Sequence, residues 1–506
     1  MNALFSLEEI RAVEQTALRS LPPGTLMRRA GLAAANLALS LLPASLAERR
    51  VLVLAGPGNN GGDALEVAAA LSAAAEQVSI LLFADPAKQS DDAKQALQRA
   101  RQSGAHFANT SQAETLLAEP WSLVIDGLFG IGLTRPISGA LHELVTRVNR
   151  LPCPVLALDI PSGLDADTGN VVGKDQGGTG IRASHTITFI ADKPGLHTAD
   201  GRDHAGAVSV AALDIDPALF PQPRAQLNET ALFTHALRPR LHNTHKGSYG
   251  DVAVLGGAEG MCGASILAAR AAAHCGAGRV LLAFAGPAPA YDSASPELMC
   301  RAAQGFDFSK ATLVAGPGLS TSREAHDLLA QALHARTPRV LDADALNLLA
   351  QEPGLQSRLG AHSRPAILTP HPLEAARLLG TTSAAVQSDR LAAARELAWR
   401  FGAVVVLKGS GSVIARPDGF AVINTTGNPA LATAGSGDVL SGICGALLAQ
   451  GWPAWEAALA AVWLHGSAAD ALVEGGIGPI GLIAGELIPV VRQQLNRFVA
   501  VHTPHR

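Results

Sequence analysis

The chain has 506 residues, 48% of them apolar and 16% charged, which excludes a disordered protein and is too long for one ordinary core. Its formal net charge of −4 offers little to a polyanion, so no nucleic-acid partner is expected. Five cysteines without a CxxC pair or metal-ligand spacing read as buried thiols of a reducing compartment.

Ser6 and Glu9 form the capping-box pattern of a first helix, with neither the basic nor the apolar region of a signal peptide around it. A second helix follows LPPG and runs to about residue 42. Apolar runs then alternate with amphipathic stretches: VLVLA at 51, VSILLF at 78, SLVID at 122, PVLALDI at 154 and HTITFI at 185. Strands separated by helical crossovers argue for a parallel α/β sheet, and unalternating strands suit one covered on both faces. Residues 214–240, with four prolines, break this rhythm and set a boundary at about residue 225, giving domains 1–225 and 226–506. A second cycle runs through GDVAVLGG at 250, RVLLAFA at 279, ATLVAGPG at 311, PRVLDADAL at 338, PAILTPHP at 365 and GAVVVLKG at 402. The last 70 or so residues read as packed helices; Asp438, Gln450, Glu456 and Asp470 interrupt their apolar runs, so no membrane span and a cytoplasmic location are expected. Ala-rich helices leave homo-oligomerisation open.

In open parallel sheets ligands sit beyond the carboxyl ends of the strands. After the strand at 51 comes GPGNNGGDA, whose Gly56, Gly58 and Gly61 match the G-x-G-x-x-G dinucleotide fingerprint. That match suggests an oxidoreductase, with Asp85 as its ribose acid, but Asp63 at the helix mouth would repel a pyrophosphate. The strand at 122 leads into DGLFGIGLTRP and the strand at 154 into DIPSGLDADTG. Asn60, Asp126 and Ser162 together offer hard oxygen donors for K⁺ or Na⁺; the plain alternative is that Asp126 and Asp159 cap the loops that follow them.

In the second half, LKGSGSVIA at 407 places Lys408 and small residues at a strand end, where backbone N–H groups can cradle phosphate. In TTGNPALATAGSGDVLSG, 425–442, a glycine turn opens a helix. Asp438 beside it is either a base for a hydroxyl attacking phosphate or an N-cap. No Walker GxxxxGK[ST] occurs.

GPGNNGGDA, VIDGLFGIGLTRP, ALDIPSGLDADTG and ITFIADKPGL resemble, over about residues 5–220, the N-terminal domain of the bifunctional NAD(P)H-hydrate repair enzymes. The resemblance implies a Rossmann-like three-layer α/β/α domain that epimerises NAD(P)HX, the hydrated, redox-dead form of NAD(P)H. It implies substrate contacts at Asn59, Asn60, Gly61, Gly62, Asp63, Gly130, Ile131, Gly132, Leu133, Thr134, Arg135, Pro136 and Asp159, and K⁺ ligation by Asn60, Asp126 and Ser162. The carbon bearing the added hydroxyl is a hemiaminal, for which Asp159 is the acid/base candidate. The family's GGDGL reads GGDAL here; Ala64 is harmless if it already lies in the helix.

Residues 240–500 resemble the ribokinase-like fold, and within it the ADP-dependent NAD(P)HX dehydratases, through HKGSYGDVAVLGG, GPGL, DADALNLL, LTPHPLEAARLL, LKGSGS and GNPALATAGSGDVLSG. Carried over, Ala264, Gly318, His371 and Asp438 contact the hydrated nucleotide. Lys408, Gly409, Ser410, Gly411, Ser412 and Gly437 bind ADP with Mg²⁺, and Asp438 is the catalytic base. The family's HPGE reads HPLE, with Leu373 reshaping a wall. Together the halves imply epimerisation of NADHX and NADPHX and dehydration of the S epimer, giving NAD(P)H, AMP and phosphate. The rival readings are a ribokinase-family small-molecule kinase and, for the first half, a nucleotide-binding regulatory module.

Overall fold

The computed structural model describes residues 2–45, 49–73, 77–360 and 365–502 in two compact units, Met1–Gln226 and Leu227–Arg506. The first unit opens with α1 (Leu7–Leu18), whose Ser6 and Glu9 form the expected reciprocal cap, and α2 (Thr25–Leu41). Its sheet contains β1 (Arg50–Ala55), β2 (Gln77–Leu82), β3 (His106–Ala108), β4 (Leu123–Gly127), β5 (Val155–Leu158), β6 (His185–Phe189) and β7 (Ala207–Ala211). All neighbours are parallel, in the order β3-β2-β1-β4-β5-β6-β7. Alternate residues of β1 enter two cores: Val51 and Val53 pack with Ile10, Ala34 and Leu65, and Leu52 and Leu54 with Leu117 and Leu144. Burial on both faces explains why these strands read as unbroken apolar runs. The strand order reverses between β1 and β4, so the loops leaving them border the crevice where doubly wound sheets bind ligands.

The second unit carries β8 (Asp251–Gly256), β9 (Arg279–Phe284), β10 (Met299–Ala302), β11 (Thr312–Ala315), β12 (Arg339–Leu341), β13 (Ala366–Leu368), β14 (Val404–Leu407), β15 (Val413–Ala415) and β16 (Ala421–Ile423). From β14 through β13, β12, β11, β8 and β9 to β10 the pairing is parallel; β15 and β16 extend the β14 edge antiparallel. The order turns between β8 and β11. The long helices expected at the end are Ser436–Ala449, Ala454–Glu474 and Ala484–His502. The first is buried around its circumference, from Val439 to Leu448, as its nearly uncharged sequence requires. Among the described residues no helix is long and apolar enough to cross a membrane.

Apolar patterning does not anticipate the strands His106–Ala108, Ala207–Ala211, Met299–Ala302, Val413–Ala415 and Ala421–Ile423. The first three are sheet edges and the last two pair as a hairpin; three of the five span only three residues each.

Candidate active sites

In the first unit β1 turns directly into α3 (Asn59–Ala73). A Cβ on Gly56 would lie 1.7 Å from the Leu128 carbonyl oxygen, and one on Gly61 2.0 Å from the Gly56 oxygen. These glycines let the β1–α3 turn press against the loop leaving β4. Ala64 is helical and fully buried, so its methyl group is accommodated. Asp85, the acid an oxidoreductase would need, caps the turn Pro86–Lys88 through the Ala87 amide.

A cavity of about 700 Å³ opens over this turn. Asn59, Asn60, Asp63, the whole run from Gly130 to Pro136, and Asp159 line it. Gly61 and Gly62 lie behind the wall; a Cβ on Gly62 would meet the Met27 side chain at 2.6 Å. Asp126 and Ser162, both fully buried, are not on the cavity surface either. The Asp126 carboxylate accepts from the Ser162 N–H at 2.8 Å, the Ser162 hydroxyl at 2.6 Å and the Leu128 N–H at 3.2 Å. Burial pushes Asp126 up to about 6, although these hydrogen bonds pull the other way. Asn60 is 6% exposed, and both polar atoms of its amide are buried without a hydrogen-bond partner among the described residues. An orphaned amide is costly, so this oxygen–nitrogen pair is available for a ligand.

Asp159 adopts a left-handed backbone (φ 65°), which Asp tolerates, at the end of β5. Its Oδ1 lies 2.9 Å from the ammonium of Lys193. Lys193 is fully buried and also donates to the Thr188 hydroxyl at 2.6 Å and to the carbonyls of Phe189 and Ala191. Motif spacing overlooks two groups that act on Asp159, Lys193 and Glu14. Lys193 stands inside the ITFIADKPGL run, but only the fold-back after β6 brings it to Asp159. Burial and then the charge of Asp159 raise the Glu14 carboxyl, partly offset by Arg11 and Lys193. Burial, Asp159, Glu14 and Glu66 hold Asp63 well above the usual carboxylate range.

In the second unit the carboxyl ends of the parallel strands gather the expected residues. Ala264 lies on α4 (Cys262–His274), and a Cβ on Gly318, after β11, would sit 3.3 Å from its methyl group. β12 leads into Asp342, which is 1% exposed and precedes α5 (Ala343–Gln351). β13 leads to His371 at the head of α6 (Pro372–Leu379). His371 Nδ1 accepts the N–H groups of Leu373 and Glu374, so its ring proton sits on Nε2, 3.1 Å from Glu374 Oε1. Leu373 is 47% exposed on the first turn of α6.

β14 delivers Lys408, whose ammonium donates to Asp342 Oδ1 at 2.7 Å. Burial alone would lower Lys408, but Asp342, Glu374 and Asp438 outweigh it and raise it. Beyond it Gly409 to Ser412 form a bend, with the Ser412 hydroxyl donating to the Gly409 carbonyl at 3.2 Å. Buried Arg390 braces the bend by donating to the carbonyls of Leu407 and Lys408. Gly409 and Ser410 are exposed there, whereas Gly411 is buried.

Asp438 occupies the first turn of α7 (Ser436–Ala449), after Gly435 in a left-handed conformation (φ 89°). A Cβ on Gly437 would lie 3.1 Å from the Lys408 ammonium and 3.9 Å from Asp342 Oδ2, so these groups converge at the helix start. Burial first, then the charge of Asp342, raises Asp438 to about 7, while Lys408 opposes. A carboxyl poised there is an efficient proton acceptor near neutrality, and the helix N-terminus adjoining it favours an anion. His465, on α8 (Ala454–Glu474), is 7% exposed and held down to about 4 by burial and Lys408, hence neutral; sequence patterning gives it no role.

The family described as YjeF-related protein N-terminus matches residues 23–195, and the family described as NAD(P)H-hydrate dehydratase matches residues 252–478. The bifunctional NAD(P)H-hydrate repair enzyme Nnr of Coxiella burnetii is 37% identical over 98% of this chain and 100% of its own length. That of Escherichia coli is 38% identical over 93% of this chain and 89% of its own. The ADP-dependent (S)-NAD(P)H-hydrate dehydratase of Neisseria meningitidis is 47% identical over 55% of this chain and 97% of its own.

Proposed function

The chain belongs to the bifunctional NAD(P)H-hydrate repair enzymes, and from that premise we propose that residues 1–225 carry the epimerase and residues 226–506 the ADP-dependent dehydratase. The observation that carries this division is that each half has its own acid/base carboxylate at the carboxyl ends of its own parallel sheet: Asp159 beside Lys193, and Asp438 beside Lys408.

In the first half the hydrated nicotinamide ring lies in the cavity between Asn59–Asp63 and Gly130–Pro136. Asp159 moves the proton that reversible loss of the hemiaminal hydroxyl requires. K⁺ suits Asn60, Asp126 and Ser162, since the first has an orphaned amide and all three supply hard oxygen. When bound, it supplies a fixed positive charge beside the buried Asp126 carboxylate.

In the second half Asp438 takes the hydroxyl proton of (S)-NAD(P)HX while the terminal phosphoryl group of ADP transfers to that oxygen. Phosphate then departs, pushed by the ring nitrogen lone pair, and loss of the neighbouring proton restores the dihydronicotinamide; AMP remains. Ala264, Gly318 and His371 position the substrate. Lys408 to Ser412 and Gly437 hold the nucleotide, with Mg²⁺ neutralising its phosphates. ADP is the phosphoryl donor, and the substrates are NADHX and NADPHX. The five free thiols support a reducing compartment, the cytoplasm.

The test follows the return of reduced-nicotinamide absorbance from both NADHX epimers with ADP, ATP or neither, in K⁺ and Mg²⁺ buffer. The expected result is near-complete recovery with ADP. Asp159→Asn then splits it into a fast phase for the S epimer and a slow remainder. Recovery stopping at one epimer in the unsubstituted protein would remove the epimerase assignment.

A further inference from the structure

Resting on the reading of the first-unit cavity as the epimerase site, we propose that Glu14 of α1 is a second catalytic residue, acting opposite Asp159 in a two-carboxyl mechanism. The residue lies N-terminal to the family match, which begins at residue 23, and no sequence pattern assigns it a role. Three features of the cavity support it.

The first is the face of α1 that meets the cavity. Ile10, Glu14 and Leu18 are spaced four apart and all line it. Glu14 is half-buried at the centre of this stripe and Arg11 lines the cavity one turn earlier, so α1 presents charged as well as apolar side chains to the space that Asp63 and Asp159 share. The second is charge. Asp63 and Asp159 line the same cavity, and Lys193 provides the countercharge to Asp159, being ion-paired with it. Among the described residues Glu14 makes no comparable hydrogen-bonded ion pair, and its carboxyl is raised by burial and by Asp159, which suits it to hold a proton. A carboxyl that favours its proton and another paired with a buried ammonium are the arrangement an acid and a base require. The third is Asn60, which lines this same cavity and is 6% exposed, with an amide buried without a hydrogen-bond partner among the described residues, so the wall beside Glu14 carries polar capacity that the fold itself does not use.

The step balances without a co-reactant other than water. Glu14 gives its proton to the C6 hydroxyl, the C6–O bond breaks, and water leaves as the ring nitrogen lone pair forms the C6=N1 iminium. A water then adds to the other face of C6 and gives a proton to Asp159. Starting from the opposite epimer, Asp159 is the acid and Glu14 the base.

The experiment uses the full chain in K⁺ buffer without ADP, scoring epimerisation of (R)-NADHX by chromatography and by mass in H₂¹⁸O. Dehydration of the S epimer with ADP is measured separately. The expected result is one ¹⁸O entering per epimerisation and an E14Q rate lower by about 100-fold or more, with dehydration unchanged. Glu14→Asp, which keeps the acid, recovers part of the rate; if E14Q does not fold, Glu14→Ala is scored against the same limits. E14Q epimerising within about threefold of the unsubstituted protein, or epimerisation without ¹⁸O, overturns the proposal. Retention of full epimerisation by Asp159→Asn would instead remove the reading of the cavity itself.

Discussion

At the scale of single residues, the chemistry turns on which carboxyls are neutral and which are paired. On the proposed mechanism Asp438, raised to about 7, has to lose its proton before it can accept one from the substrate. The dehydration rate is therefore expected to rise with pH through about 7 and level off above it, and Asp438→Asn to remove that limb and slow dehydration by about 10²–10⁴-fold. Stability has the opposite slope. The folded chain holds a proton on Asp438 that the unfolded chain releases at lower pH, so this contribution is present at acid pH and lost as pH rises through about 7. Denaturant titrations at pH 5 and pH 8 check the sign, and Asp438→Asn should reduce the difference. Lys193 tests the other kind of carboxyl. Lys193→Met leaves Asp159 without its buried countercharge and should cost about 3–5 kcal/mol, read as a lowered midpoint for the first unit.

At the scale of elements, His371 separates a local from a catalytic role. It caps α6 through Nδ1, a task Asn performs equally well. His371→Ala is expected to cost about 1 kcal/mol of stability, and His371→Asn almost none. If the ring also touches substrate, His371→Asn raises KM for (S)-NADHX while its melting temperature stays unchanged. The same scale shows what was legible beforehand. The parallel strands at whose ends GPGNNGGDA and GSGD stand are buried on both faces and appear as apolar runs, so their succession along the chain could be read from sequence, whereas their order within each sheet could not. Val413–Ala415 and Ala421–Ile423 could not, because three residues carry no period and glycines surround the first. Glu14 and Lys193 were illegible for a different reason: one is an isolated acid on an amphipathic helix, the other lies 34 positions from its partner. Asp342 stood inside a quoted run, DADALNLL, but its ion pair with Lys408 arises only because β12 and β14 end on the same side of the sheet.

For the whole molecule, the joined order has a chemical reason: a dehydratase that accepts one epimer consumes half of a mixed pool unless the other is converted. The two activities should nonetheless respond to different ions. Replacing K⁺ by tetramethylammonium is expected to slow epimerisation while leaving dehydration of purified (S)-NADHX in Mg²⁺ and ADP unaffected. Parallel assays of the two steps check this, and equal slowing of both would count against K⁺ at Asn60, Asp126 and Ser162.

The orphaned amide of Asn60 carries a consequence for how the protein would respond to selection for robustness. An unmet buried amide costs about 1–3 kcal/mol, and alanine at this position would remove it. Asn60→Ala should therefore yield a hardier protein in K⁺-free buffer, with a higher melting temperature that no longer climbs when K⁺ is added. A screen for heat resistance alone would favour that change and discard the epimerase with it, whereas a screen on recovered NADH would keep the asparagine.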